Sequence, residues 1–431
     1  MQRVLVVDTN RQPLMPCHPA RARELLNRGK AAVYRHYPFT IILKERAGGN
    51  MQPVACKIDP GSRQTGIALV ADFQRGKRLV WAAVLEHRGE PIKAALLARR
   101  QSRRSRRNRH SGYRPARFDN RRRPQGWLPP SLQSRVANLM TWVKRLYGLT
   151  PVKSLSMELV KFDTQLMQNA EINGVEYQQG ELVGYEVREY LLEKWGRQCA
   201  YCRAKDIPLE IEHITPKSRG GSNRVGNLTL ACHACNQQKG NQTAAEFEYP
   251  EIQKRARQPL KDMAAVNATR WALFGRLQST GLSLEVGTGG RTKFNRTHQA
   301  YPKAHWIDAA CAGKSGEKVY LNPHQMYLHI KATGHGTRQM CRTDKYGFPI
   351  RHRLHQKRHF GFQTGDTVMA IVPAGKYSGT HLGRAACRAT GSFDLKTDTG
   401  KVTVSYKHLK TIHHSDGYTY TKGSGAVPPY G

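Results

Sequence analysis

Acidic residues are scarce in this chain. Its 431 residues include 31 Asp and Glu against 70 Lys and Arg, a formal net charge of +39. Charge of that size far exceeds what solubility needs, and a polyanion is the expected partner. Long apolar runs are also missing. No stretch approaches the roughly 18 apolar residues of a membrane-crossing helix, and no amphipathic apolar face accompanies the basic charge. Membrane association is therefore not expected. The opening residues, MQRVLVVDTNRQPLMP, lack the charged start, apolar centre and small-residue cleavage site of a secretory signal, so a cytoplasmic protein is expected. There are nine cysteines. Cys17, Cys56, Cys311, Cys341 and Cys387 are scattered and read as free thiols in a reducing compartment.

The other four are not scattered. Cys199 and Cys202 form one C-x-x-C and Cys232 and Cys235 a second, a spacing that can close a tetrahedral thiolate site around structural zinc. The spacer between them holds an apolar, strand-like run that ends in Glu210, Ile211, Glu212, His213 and Ile214, followed by Asn227 and Asn236. A zinc-stapled fold with an exposed His is the plainer reading, but it leaves the carboxylate beside that His and the two Asn residues unexplained. In E-x-E-H-I-x-P, then G-G-S-x-x-x-x-N-L, then C-x-x-C-N-x-x-K-G, the module resembles the HNH nucleases of the ββα-metal fold. The resemblance implies that His213 is the general base, that Glu212 and Asn236 share one divalent cation, and that Asn227 braces the loop carrying His213. The chemistry suits such roles, since imidazole titrates near neutral pH and oxygen donors suit a hard cation. Glu210 reads as a solvated strand residue.

Three further acidic pieces stand apart from one another. Asp59 ends the strand VACKID before Pro60 and Gly61, with further strands expected at Gly66–Val70 and Leu79–Leu85. Glu158 lies in the apolar strand LSMELV. Asp308 lies in YPKAHWIDAACA, three residues after His305, so on a helix the two share a face. In their order, with the HNH-like module between the second and third, these pieces resemble the split RuvC nuclease domain of the RNase H fold. That likeness implies two divalent ions held by Asp59, Glu158 and Asp308, with His305 near the attacking water.

Residues 99 to 123 contain twelve Arg and one acidic residue, Asp119. On a helix Arg99, Arg100, Arg103, Arg104, Arg106 and Arg107 fall within an arc of roughly 160°, with Gln101, Ser102, Ser105 and Asn108 on the other side. A helix from near Pro91 to Gly112 with one arginine face is predicted, and a phosphate backbone is what such a face would bind.

Elsewhere, a small α+β unit opens the chain. Strands are predicted at Val4–Val7, Ala32–Tyr34 and Thr40–Leu43, a turn at Pro13–Pro16, and a helix from Ala20 to a Gly29 stop, with Asp8 as a turn residue. A helix is predicted from Gln258 to Leu277. The segment GTGGRTKFNR at 287 to 296 reads as a glycine-rich loop, either a site where Arg291, Lys293, Asn295 and Arg296 approach nucleic acid or a plain flexible linker. Past residue 320, a basic segment, Arg342 to His359, leads to strands at Thr367–Val372, Leu382–Ala389 and Lys401–Tyr406, the pattern of a small β-barrel. The last dozen residues read as frayed.

In this order of pieces the chain resembles the IscB family of transposon-encoded nucleases, related to the double-nuclease CRISPR effector. The resemblance implies an α/β multidomain protein with an RNase H-like core split in three and an inserted HNH module. The expected divisions are an N-terminal domain at 1–52, RuvC-like parts at 53–90, 125–190 and 246–320, an arginine-rich helix at 91–124, the HNH module at 191–245, and a C-terminal domain at 321–431. It further implies a metal-dependent endonuclease in a bacterial or archaeal cytoplasm that uses magnesium or manganese beside structural zinc. The expected assembly is one protein copy with a long structured guide RNA, acting on double-stranded DNA. Two rivals remain. A protein-only homing or restriction-type HNH endonuclease explains residues 199 to 241 but neither the Arg helix nor the dispersed acids. A non-catalytic RNA-binding protein is disfavoured by the intact acidic and His residues.

Overall fold

The computed structural model describes residues 2–108, 126–159, 188, 191–192, 194–223, 225–257, 263–335, 340–345, 348–352 and 355–425. Within them the chain is a mixed α/β protein with several separate sheets.

The first unit pairs β1 (Val4–Val7), β2 (Pro13–Cys17), β3 (Ala31–Arg35) and β4 (Thr40–Leu43) in the order β2-β1-β4-β3. The stretch PLMPC, expected as a turn, is therefore a strand. It lies at the sheet edge, where a proline without an N–H removes no bond the sheet needs. Between β2 and β3 runs α1 (Pro19–Asn27), capped by the His18 ring and followed by Gly29 at φ +69°. Asp8 is the turn residue expected, its carboxylate accepting from the N–H groups of Asn10, Gln12 and Gly48.

The central sheet draws its strands from separate parts of the chain. β5 (Val54–Pro60), β6 (Gln64–Phe73) and β7 (Gly76–Glu86) form an antiparallel meander, and β8 (Val152–Glu158) lies parallel to β5. Ile67–Ala71 and Leu79–Leu85 are buried along their whole length, because helices cover both faces and leave no polar side to alternate with. On one face α3 (Pro130–Tyr147) presents Val136, Leu139, Met140, Val143 and Leu146 at helical spacing. Each such side chain contributes about 1.5–3 kcal/mol on burial. The arginine-rich stretch forms α2 (Gly89–Asn108), preceding α3. It is exposed from Leu97 to Ser105 on every side, so that stretch is not buried by packing among the described residues. Residues 109–123 of the basic run lie outside the described residues, as do most of 160–190.

Residues 191–257 form a module with its own core, in which Leu191, Leu192 and Trp195 meet Leu230, Ile252 and Ala256. It contains the hairpin β9 (Leu209–His213) and β10 (Leu228–Cys232), then α4 (His233–Lys239) and α5 (Pro250–Arg257). The boundary expected at 245 thus falls too early, since α5 supplies Ile252 and Ala256 to that core. The chain then returns to the central sheet through α6 (Met263–Gln278), which packs Leu273 and Leu277 on the α3 face. β11 (Ser283–Gly287) joins the sheet edge parallel to β8. The helix expected from Gln258 begins in the described residues at Met263.

The GTGGRTKFNR segment is no loop but α7 (Gly289–His298), capped by the Thr288 hydroxyl accepting from the Arg291 N–H. Next comes α8 (His305–Ala310), covering the second face of the sheet with Trp306, Ile307, Ala309 and Ala310.

The expected boundary at residue 320 is also displaced. β12 (Val319–Tyr320) and β13 (Tyr327–Ala332) both lie parallel to β7. Two hairpins follow, β14 (Cys341–Thr343) with β15 (Pro349–His352) and β16 (Arg358–His359) with β17 (Phe362–Gln363). A five-stranded antiparallel sheet then forms from β18 (Thr367–Val372), β19 (Gly379–Ala386), β20 (Ser392–Thr397), β21 (Gly400–Ser405) and β22 (Leu409–His413). Its pairing order β21-β20-β19-β18-β22 leaves two edges, so among the described residues the expected barrel is an open sheet. β23 (Tyr418–Gly423) then re-enters the central sheet beside β13, which places the start of the supposedly frayed end in a strand. The Arg145 guanidinium holds this return in place, 2.7 Å from Asp416.

Candidate active sites

Asp59 is the penultimate residue of β5 and Glu158 the last of β8, and the parallel pairing of Ile58 with Met157 puts the two carboxylates side by side. The third carboxylate comes from the other face's helix. Asp59 is opposite Gly66, where a Cβ would lie 1.8 Å from the His305 carbonyl oxygen. Only glycine lets the start of α8 come so close. His305 and Asp308 thus arrive over the strand ends, with His305 Nδ1 3.5 Å from Asp59 Oδ2. The sequence-predicted quartet of Asp59, Glu158, His305 and Asp308 is brought together from three segments.

Its electrostatics follow from crowding. Burial first, then the charge of Asp59, pushes Glu158 up to about 8 and Asp308 up to about 6. His305 is raised, chiefly by its bond to Asp59. Two arginines offset the acidic charge. Arg270 of α6 lies 3.3 Å from Glu158 and Arg296 of α7 2.9 Å from Asp308. The Arg296 Nε contact is close but poorly directed, since that buried atom makes no aligned hydrogen bond. Neither arginine was given this role from sequence, and Arg296 was expected to face nucleic acid. Nor is Asn295 free to do so: it is buried and donates to the Cys311 and Gly313 carbonyls. Arg291 pairs with Glu317. The oxygen donors and mutual repulsion of Asp59, Glu158 and Asp308 fit hard divalent cations, which would relieve the charge that raises these groups.

In the second site, the four cysteines converge. The Sγ atoms of Cys199, Cys202, Cys232 and Cys235 all lie within 4.8 Å of one another, the only such group of potential ligands among the described residues. Cys202 and Cys232 are 3.8 Å apart, the edge of a tetrahedron with Zn–S bonds of about 2.3 Å. Burial opposes ionisation of Cys199, but N–H groups of Cys232, Cys202 and Tyr201 hold its thiol down at about 7. The residues fit zinc.

His213 ends β9, with Nε2 2.9 Å from Asn223 Oδ1. Asn227 ties the loop after it, its side chain accepting from Thr215 N–H and donating to the Thr215 and Ser222 carbonyls. The ligand pair expected from sequence is not brought together. Glu212 is 5% exposed and turned inward, one oxygen 2.6 Å from Lys239 Nζ and the other accepting from the Tyr201 hydroxyl at 2.6 Å. Asn236 instead donates to Glu210 at 2.6 Å, and His233 lies 3.0 Å from the same carboxylate. Alternation along β9 puts Glu210 and Glu212 on one strand face, and α4 decides between them: His233 and Asn236 in its first turn meet Glu210, while Lys239 at its end meets Glu212. Glu210, read as merely solvated, is the carboxylate beside Asn236.

Of the arginine face, Arg99, Arg100, Arg103 and Arg104 are exposed on α2, as a phosphate contact would require. The side chains of Arg106 and Arg107 lie outside the described residues.

Residues 199–250 match the family model for HNH endonuclease. The module is similar to the HNH endonucleases. This supports a nuclease. Residues 4–180 match a second family model, described as RRXRR protein, and contain the run Arg103, Arg104, Ser105, Arg106, Arg107. No curated protein matches the chain. Among solved structures, Streptococcus thermophilus Cas9 in complex with the GGAA PAM matches at 12% identity and a TM-score of 0.23. The same protein in complex with the AGAA PAM matches at 12% identity and a TM-score of 0.22. Both comparisons cover 60% of this chain and 32% of Cas9, so the chain spans about a third of the length of the Cas9 chains it matches. No helix among the described residues is long and apolar enough to cross a membrane.

Proposed function

We propose that this chain is an RNA-guided double-stranded DNA endonuclease of the IscB type, with an HNH site that cuts the guide-paired strand and a RuvC-like site that cuts the displaced strand. The observation that carries the reading is the convergence of Asp59, Glu158, His305 and Asp308 from segments interrupted by a module that matches HNH endonucleases. A protein-only HNH enzyme has no use for a second acidic centre, nor for a helix that exposes Arg99, Arg100, Arg103 and Arg104.

At the RuvC-like site Asp59, Glu158 and Asp308 would hold magnesium or manganese, and His305 would hold a proton beside the attacked phosphate. At the HNH site His213 would take the proton from water, oriented by Asn223. Glu210, beside Asn236, would be the carboxylate to hold a cation in the arrangement described, and Glu212 would do so only once it leaves Lys239 and Tyr201. Bound divalent metal supplies a Lewis acid for the phosphodiester oxygens. Zinc at the four cysteines is structural, because protein fills every position. Arg99, Arg100, Arg103 and Arg104, with Arg106 and Arg107, would grip guide RNA through its phosphates.

The test is a DNA duplex with each strand labelled separately, incubated with full-length protein, its copurifying RNA and magnesium. Asp59→Ala should leave only the guide-paired strand cut, and His213→Ala only the displaced strand, with DNA binding retained. Loss of both cuts from either substitution, with binding intact, would refute two independent sites. Absence of any discrete copurifying RNA would favour the protein-only reading.

A further inference from the structure

Directly behind the Asp59 and Glu158 row lies a second polar row that no role in cutting accounts for. Two residues earlier on each strand, and so on the same sheet face, stand Lys57 on β5 and Ser156 on β8, aligned with each other across the ladder. The register then continues from Ser156 to Glu285 on β11. Lys57 is fully buried, which is rare for a lysine unless it is partnered. Its Nζ lies 2.7 Å from the Ser315 hydroxyl. Ser315 in turn donates its backbone N–H to Glu285 at 2.8 Å and its hydroxyl to the other oxygen of that carboxylate.

Ser315 belongs to the turn that follows α8, the helix that delivers His305 and Asp308. The row holds that turn from beneath, Ser156 reaching the Ala312 carbonyl at 3.4 Å. Gly313 sits at φ +72°, and a Cβ there would be 2.6 Å from the Glu285 carboxyl carbon, so the turn is pressed directly onto the row. We infer that Lys57, Glu285 and Ser315 are positioning residues that fix α8 over the strand ends, setting the separation of Asp308 from Asp59 and Glu158 and hence the affinity of that site for divalent cation. The inference rests on reading those three carboxylates as an active site.

Lys57 and Glu285 meet through the Ser315 hydroxyl, so removing one charge leaves the other without its opposite, whereas replacing both with apolar groups of similar volume is tolerated. The variants are therefore Ser315→Ala, Ser315→Thr and the paired Lys57→Met with Glu285→Leu. Each is assayed as full-length protein with its copurifying RNA on the strand-labelled duplex across a magnesium titration. For the displaced strand, the paired variant should raise the magnesium midpoint about tenfold or more and Ser315→Ala several-fold. Ser315→Thr, which keeps the hydroxyl, should match the parent. The midpoint for the guide-paired strand should not move. Hydrogen exchange supplies a readout independent of cutting: amides 308 to 316 should lose protection while those of 79 to 85 keep theirs. If protection of 79 to 85 also collapses in the paired variant, Ser315→Ala alone decides. An unchanged displaced-strand midpoint in Ser315→Ala, or in a folded paired variant, overturns the inference. Asp59→Ala run alongside separates the two layers, for if it leaves displaced-strand cutting intact, the active-site reading itself fails.

Discussion

Replacing Lys239 by Met should strongly destabilise the HNH-like module rather than simply dull its activity. Lys239 is fully buried, and its Nζ bridges Glu212 Oε1 at 2.6 Å and the His213 carbonyl at 3.0 Å. Methionine fills nearly the same volume, so the loss is electrostatic: Glu212, 5% exposed, is left with one hydrogen bond from Tyr201 and no counter-charge. Stranding one partner of a buried pair costs about 3–5 kcal/mol. Against a total stability of about 5–15 kcal/mol for a domain, that is a large fraction. At about 4–8 °C per kcal/mol in a unit of this size, the melting point should fall by more than about 10 °C. The assay is thermal melting followed by chelator-accessible zinc, at fixed zinc concentration, for the parent, Lys239→Met, Glu212→Gln and the double variant. Adding Glu212→Gln removes the stranded charge yet leaves an acceptor for Tyr201, so the double variant should recover most of the loss. A loss below about 1 kcal/mol in Lys239→Met, or no recovery in the double variant, would show that the pair does not hold Glu212. The same series separates the two carboxylates: with Glu212 engaged in the core, Glu210→Gln should slow guide-paired cutting without lowering the melting point, and Glu212→Gln should lower it.

Substituting Cys199 or Cys232 by Ser should release about one equivalent of zinc and unfold residues 199–250, because metal binding is coupled to folding in such modules; finding no zinc in the purified protein by elemental analysis would contradict this. Replacing Arg103, Arg104, Arg106 and Arg107 by Ala should flatten the salt dependence of RNA binding by about 0.7–0.9 in logarithmic slope per lost phosphate contact, and an unchanged slope would argue against the arginine face. Burial alone would raise Asp416, but bonds from His413 and Tyr420 and the charge of Arg145 hold it down at about 2. A depressed carboxylate stabilises the fold above its unfolded value of about 4 and loses that contribution as pH falls towards 2. Acid unfolding followed by tryptophan fluorescence should therefore be shallower between pH 4 and 2 in Asp416→Asn than in the parent, and parallel curves would contradict the assignment.

The sequence by itself determined what depends on residue type and short spacing. Two C-x-x-C pairs and the three-residue offset of His305 and Asp308 are local patterns; the four thiols converge and His305 and Asp308 share α8, whereas the acid beside His213 turns into the core. The apolar strands around Asp59 and Glu158 were legible because buried parallel strands are continuously apolar. Tertiary structure alone decided which neighbours those residues meet. Alternation along β9 puts Glu210 and Glu212 on the same face, and only the seating of α4 sends one to Asn236 and the other to Lys239. Three glycines made residues 287 to 296 read as a loop, yet a Thr288 cap and contacts with the turn after α8 turn them into a helix that aims Arg296 at Asp308. Lys57 and Glu285, over two hundred residues apart, carry no mutual signal in sequence. They lie in one row because β5, β8 and β11 happen to be neighbours in register, a fact that belongs to the sheet and not to any segment of it.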